Sequence, residues 1–112
     1  MAMNQTRRCK LERLGVRKIL SLLHIRQRQI YTAPFDIVTS EFGYEVKTLS
    51  WKVKDKKVHI ADSSLKLKLK FAEANNIQIA LFAVVVDKNK RFHVYQSELK
   101  QNIRISQMKL IA

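Results

Sequence analysis

Two carboxylates and an ammonium group occur close together in the sequence, at Asp36, Glu45 and Lys47. Mg²⁺ binds hard oxygen ligands and keeps several waters, so two carboxylates, a main-chain carbonyl and a phosphate oxygen would complete its coordination shell. Val46 is the candidate for the carbonyl. Lys47 would place a positive charge beside an attacking water or the developing negative charge. These residue types suit a Mg²⁺ site, with Mn²⁺ as a substitute.

A hairpin is expected to bring the three side chains together. The pattern predicts strands over residues 35–39 and 44–49, joined by a four-residue loop. We expect Thr39 to pair with Tyr44. This register sets Asp36 opposite Lys47 and makes Asp36 a diagonal neighbour of Glu45, about 7–8 Å away. The three polar side chains then share one face, and the other face is mostly apolar: Phe35, Ile37, Thr39, Tyr44, Val46 and Thr48.

The same spacing also fits a purely structural role. An Asp opposite a Lys on neighbouring strands, with a Glu nearby, is a common cross-strand charge pair worth about 0.2–1 kcal/mol. Spacing alone favours this interpretation. The order of the elements around the three residues favours the metal site instead.

The segment Pro34-Phe35-Asp36, followed by Glu45-Val46-Lys47, resembles the motif of the PD-(D/E)XK nuclease superfamily. The resemblance covers residues 11–96. It implies an α/β fold with an α-β-β-β-α-β restriction-endonuclease-like core, in which helices flank a mixed central sheet. It also implies that Asp36 and Glu45 bind the metal and that Lys47 assists the attacking water. The strings are most similar to those of small stand-alone, phage- or mobile-element-associated members, and of Holliday-junction resolvases.

Many members of this family add a glutamate from the first helix, and Glu12 is the acid available there. The resemblance therefore adds Glu12 to the expected catalytic residues. Two features depart from the family pattern: Phe35 separates Pro34 from Asp36, and no Gln closely follows Lys47. The implied function is a Mg²⁺-dependent DNA endonuclease. The alternatives are a non-catalytic basic nucleic-acid-binding module and, more weakly, an RNA- or ribosome-associated protein.

The composition points to a polyanionic partner. The 112 residues include 22 Lys or Arg and 9 Asp or Glu, a formal net charge of +13. A surplus of this size attracts nucleic-acid phosphates. A single surface lysine is often only solvated, but we expect the densest basic region to contact DNA: Lys52, Lys54, Lys56, Lys57, Lys66 and Lys70, with Lys68 in the same run.

Several classes of protein are excluded by the composition. With 46% hydrophobic residues, two Gly and one Pro, the chain fits a single folded domain over residues 1–112. Cys9 is the single cysteine and cannot form an intramolecular disulfide, so we expect a reducing, cytoplasmic location. The longest apolar run, residues 79–86, is too short to span a membrane.

The remaining pattern predicts the elements that position the site. These are a loose basic end (1–10), an amphipathic helix (11–25), a short strand (29–32), an extended excursion (51–60), a helix (65–75), a strand buried on both faces (77–86) and an antiparallel strand (91–96). The alternation of residues 65–70 also fits a strand, but possible N-cap residues at 62–64 favour the helix. The apolar tail, residues 97–112, is expected to pack on the body or on a second copy, and we expect a homodimer.

Overall fold

The computed structural model describes the backbone of residues 2–25, 34–52 and 56–112, with side chains from Lys10 onward. Within these residues it contains two α-helices and seven strands, with parallel and antiparallel pairs in the main sheet, and is an α/β protein. In chain order they are α1 (Ala2–Leu22), β1 (Ile37–Val38), β2 (Phe42–Ser50), β3 (Lys57–His59), α2 (Asp62–Asn75), β4 (Gln78–Val86), β5 (Phe92–Ser97), β6 (Asn102–Arg104), a 3-10 turn (Ile105–Gln107) and β7 (Lys109–Leu110).

The main sheet has five strands in the order β1-β2-β4-β5-β7. β2 and β4 are parallel, and every other pair in this sheet is antiparallel, so the sheet is mixed. The connection between the parallel strands contains β3 and α2, as a parallel pair requires a long crossover. β3 does not join the main sheet. It pairs with β6 in a separate two-stranded ribbon.

Helix α1 packs on one face of the main sheet. Ile19 is fully buried there, in a cluster with Tyr44 and Val46 of β2 and with Phe82 and Val84 of β4. The helix begins at Ala2, so the expected loose end is helical from that residue. Residues 2–10 lack Gly and Pro and contain good helix formers, and their polarity does not oppose a helix. The predicted strand over 29–32 lies outside the described residues.

The opposite face of the sheet carries α2, the ribbon and the C-terminal tail as far as Met108, whereas Ile111 packs on the α1 face. Its core contains Leu81, Ala83 and Val85 of β4, with Val58, Ile60, Ile103, Ile105 and Met108 packed on them. The tail therefore packs on its own chain, the first of the two expected arrangements. Exposed Leu110 is a part of the tail left uncovered.

Helix α2 begins three residues before the predicted start. Ala61 is the N-cap residue and contributes no side-chain hydrogen bond, so the N-cap prediction for residues 62–64 was wrong. Asp62 instead lies in the first turn, where a carboxylate interacts favourably with the helix dipole. The predicted end is confirmed: the helix stops at Asn75, and Asn76 adopts a left-handed conformation with φ 51°.

Candidate active site

The hairpin register differs by two residues from the prediction. Tyr44 pairs with Ile37, and Gly43 with Val38, rather than Tyr44 with Thr39. Thr39 is part of the turn, because its Oγ1 accepts hydrogen bonds from the amide groups of Phe42 (2.9 Å) and Glu41 (3.2 Å). A two-residue shift keeps the side chains of the paired residues on their predicted faces.

Asp36 lies next to β2, near Glu45. Asp36 immediately precedes the β1–β2 ladder, in which Ile37 pairs with Tyr44, and its charge raises the pKa of Glu45. Asp36 Oδ2 accepts a hydrogen bond of 2.8 Å from the amide of Val46. A strand residue directs its N–H and C=O to the same side, so the Val46 carbonyl lies on the Asp36 side of β2. Asp36 and the Val46 carbonyl therefore lie on one side of β2, and the Asp36 charge acts on the neighbouring Glu45.

Phe35 lies on the other face from the one predicted. It is buried against Phe71 of α2, with ring centroids 6.1 Å apart. Residues 34–36 form bends rather than a strand, so the alternation that holds from Ile37 onward does not extend to them. Gly43 makes room for this ring, since a Cβ at Gly43 would lie 2.9 Å from Phe35 Cδ2.

Glu45 is a buried carboxylate between two lysines. It is 7% exposed. Lys47 Nζ lies 3.5 Å from its Oε1, and Lys68 Nζ lies 3.4 Å from its Oε2. Burial raises the pKa of Glu45, and the nearby charge of Asp36 raises it further, while Lys68 and Lys47 lower it. The two lysines therefore do not fully offset the effects of burial and of Asp36 on the pKa of Glu45.

The prediction that Lys68 contacts DNA was wrong, because this lysine faces the interior. It is buried, donates a hydrogen bond of 2.8 Å to Ser64 Oγ, and lies 5.9 Å from the centroid of the Phe35 ring. The sequence contains a signal for this position. Leu65, Lys68 and Ala72 follow at spacings of three and four, so Lys68 lies on the inward stripe of α2. It is the residue of the site that sequence reasoning missed.

The donors present at this site suit Mg²⁺. They are two carboxylates and a main-chain carbonyl, all hard oxygen ligands, and water and phosphate oxygens would complete the shell. The distances from Glu45 to the lysines exceed the roughly 2.7–2.9 Å of a tight charge-assisted hydrogen bond. Neither carboxylate oxygen is therefore closed to another cation. Within the described parts of the chain, no group of three or more His, Cys, Asp or Glu side chains is close enough together to hold a metal ion.

Glu12 is not brought to this site. α1 packs on the Tyr44 and Val46 face, whereas Glu45 points to the α2 face. Glu12 is exposed, and it is not among the charges that shift the pKa of Glu45. Its expected catalytic role stays a prediction.

The lysines of α2 other than Lys68 point away from the site. Lys66 and Lys70 are exposed and lie about 200° around the helix from Lys68, since each residue advances by about 100°. Lys66 pairs with Asp62, with 3.1 Å between Nζ and Oδ2. A substrate at Glu45 would therefore not meet these two lysines directly.

The lysines that follow β2 are spread over different surroundings. Lys52 is exposed, and its Nζ lies 5.8 Å from the centroid of the Trp51 ring. Lys56 is half-buried, and Lys54 lies outside the described residues. Exposed Lys57 on β3 lies directly opposite exposed Arg104 on β6. Arg104 is a second basic residue that sequence reasoning did not select.

Neither α1 nor α2, the two α-helices in the described residues, is long and apolar enough to cross a membrane.

Comparisons with known proteins found no family for this chain. No protein-family model matches the sequence, and a comparison with curated proteins also found no match.

Proposed function

We propose that the chain is a Mg²⁺-dependent DNA endonuclease that hydrolyses phosphodiester bonds. The observation that carries this proposal is the placement of Asp36 against the Val46 amide, next to Glu45, with the Lys47 ammonium 3.5 Å from Glu45. When bound, Mg²⁺ would polarise a phosphate oxygen and lower the pKa of a coordinated water.

The two carboxylates differ in how the fold holds them. The Val46 amide holds Asp36 Oδ2, which leaves the second carboxylate oxygen of Asp36 as a ligand. Glu45 is held by burial and by its two lysines. Because the Asp36 charge disfavours ionisation of Glu45, a divalent cation between the two carboxylates would relieve a repulsion that the lysines only partly offset.

Lys47 acts on the reacting groups in this proposal. Its side chain is 37% exposed, so the ammonium can reach water or a phosphate. A cation at this place would orient the attacking water or stabilise negative charge on the phosphate as it develops.

The proposal includes the restriction-endonuclease-like core of the PD-(D/E)XK nucleases. The element order α-β-β-β-α-β and the mixed sheet support it, and the pairing of β3 with β6 differs from a single central sheet. The net charge of +13 supports DNA as the substrate. We further propose a homodimer, because cutting both strands symmetrically needs two sites, and a cytoplasmic location, because Cys9 is the single cysteine.

One observation favours the alternative of a non-catalytic nucleic-acid-binding module. Both oxygens of Glu45 already face a lysine. The cluster would then be a structural ion-pair network, and the basic surface would bind nucleic acid without cleaving it.

The test is cleavage of supercoiled and branched DNA with Mg²⁺ or Mn²⁺. Asp36→Asn is the informative variant, because the amide oxygen of Asn can still accept the Val46 hydrogen bond while the ligand charge is lost. We expect Asp36→Asn and Lys47→Met to lose about 10²–10³-fold in rate. Glu41→Gln, a change at an exposed acid of the same hairpin, should cleave like the parent. Salt-sensitive binding by the parent without cleavage in either metal would support the alternative.

A further inference from the structure

We propose that the two lysines at Glu45 have different roles, an inference that rests on the proposed function. Lys68 is a fixed counter-ion that positions the carboxylate through Oε2. Lys47 is a displaceable counter-ion that leaves Oε1 when a divalent cation binds. The divalent cation then takes the place of the Lys47 ammonium at Glu45 Oε1.

The contacts of Lys68 fix its ammonium group. Ser64, one helical turn earlier, accepts its hydrogen bond at 2.8 Å. The Phe35 ring, itself packed on Phe71, lies beside it. The Lys68 side chain is 9% exposed, so separating it from Glu45 would leave a buried charge without its partner, which is strongly unfavourable.

Lys47 can leave at lower cost. More than a third of its side chain is exposed, and its ion pair with Glu45 measures 3.5 Å. Once released, its ammonium regains water, so no buried charge is left unpaired. Lys68 continues to neutralise Glu45 through the other oxygen. The asymmetry in exposure therefore decides which lysine a cation displaces.

This exchange has a consequence for the reaction. While Lys47 pairs with Glu45, its charge is engaged by the carboxylate. Loss of that pair leaves the ammonium close to the cation site and available to water or phosphate. The lysine expected to assist hydrolysis would thus become available only in the metal-loaded protein.

The test is an NMR titration of the full chain, labelled with ¹³C at lysine Cε and at the Asp and Glu carboxyl carbons, with Mg²⁺ alone. The Lys47→Met and Lys68→Met variants assign the two lysine signals by their absence. We expect the Asp36, Glu45 and Lys47 signals to shift together with one apparent affinity, while the Lys68 signal stays in place. Lys70, exposed on the same helix, is the reference for nonspecific effects of Mg²⁺.

A second measurement uses metal affinity. If Lys47 competes with the cation for Oε1, Lys47→Met should bind Mn²⁺ severalfold more tightly by calorimetry, although the variant cleaves far more slowly than the parent. Weaker binding by this variant would overturn the inference.

The possible failures are separable. A shift of the Lys68 signal, or a Lys47 signal that does not move while both carboxylates respond, would refute the division of roles and leave the metal site intact. If the Asp36 and Glu45 carboxyl signals do not shift when Mg²⁺ is added, the proposed function is refuted as well. Asp36→Asn should abolish the response of Lys47.

Discussion

The surroundings of Glu45 disfavour its ionised form more than they favour it. Burial and the Asp36 charge raise its pKa, and the two lysines lower it by less. A structural ion pair that served stability alone would be expected to favour the ionised carboxylate. The raised pKa is instead common at functional sites, where like charges are held together.

The raised pKa predicts a loss of stability as pH rises. Between the ordinary pKa of 4.5 and the raised value, the folded chain binds more protons at Glu45 than the unfolded chain. The free energy of unfolding therefore falls as pH rises through this window, and the loss is complete above the raised pKa. Urea unfolding of the parent and of Glu45→Gln from about pH 4 to about pH 7 measures it. Parallel curves for the two proteins would contradict this assignment.

The Lys68 contact predicts a coupling between two substitutions. Lys68→Met keeps the apolar stem but leaves Glu45 without its buried counter-ion, at a cost of about 1–3 kcal/mol in the free energy of unfolding. In the Glu45→Gln background the same change should cost at least about 0.5 kcal/mol less. Lys70→Met, at an exposed position of α2, should stay within about 0.5 kcal/mol of the parent. Equal costs of Lys68→Met in both backgrounds would exclude a direct Glu45–Lys68 interaction.

At the scale of elements, the site depends on how α1 approaches β2. A Cβ at Gly15 would overlap Thr48 Oγ1 and lie 3.0 Å from Thr48 Cβ. Among the described residues this hydroxyl is buried with no hydrogen-bond partner. Gly15 is therefore needed for close packing of the helix on β2, the strand that carries Glu45 and Lys47.

Gly15→Ala is expected to destabilise the chain by about 1–3 kcal/mol through overpacking, although Ala favours a helix over Gly by about 1 kcal/mol. The penalty should shrink when Thr48→Ala makes room. Thermal and urea unfolding measure both effects. Ser21→Ala, on an exposed position of α1, is the control for helix propensity. A Gly15→Ala protein as stable as the parent would mean that α1 can shift without cost.

The hairpin shows which part of an element a pattern predicts. Alternation correctly assigned Glu45 and Lys47 to one face and Tyr44 and Val46 to the other. It did not predict the register, because the Thr39 side chain forms the turn through local hydrogen bonds. The predicted faces of the paired residues, from Ile37 onward, remained correct because the register shift was even.

At the scale of the molecule, part of the positive charge lies on the β3–β6 ribbon rather than next to Asp36 and Glu45. Lys57 and Arg104 are directly opposite each other on the ribbon, an arrangement of like charges that costs stability. Neither has a carboxylate partner among the ion pairs of the described residues. A bound polyanion would remove this cost, so the outer face of the ribbon is the part of the surface that we expect to contact DNA.

Two charge-matched double variants test this expectation. Lys57→Gln/Arg104→Gln and Lys66→Gln/Lys70→Gln each remove two positive charges. If both ribbon residues contact phosphates of duplex DNA, the first variant should lower the slope of log affinity against log salt by about 1.8. The α2 variant should change it less, because Lys66 already pairs with Asp62. Fluorescence anisotropy at several salt concentrations measures both slopes, and a larger effect of the α2 pair would place the DNA contact there.

The sequence by itself determined the faces of β2, the buried strand β4, the end of α2 at Asn75, and the presence of Asp36 and Glu45 in a chain of large positive charge. These follow from local periodicity and composition, which act within a few residues. Only the tertiary structure decided that the inward stripe of α2 sets Lys68 beside Glu45, that α1 covers the face opposite Glu45, and that β3 pairs with β6. Each of these depends on contacts between residues far apart in the chain, and the burial that makes Glu45 chemically distinctive exists only once those elements have packed.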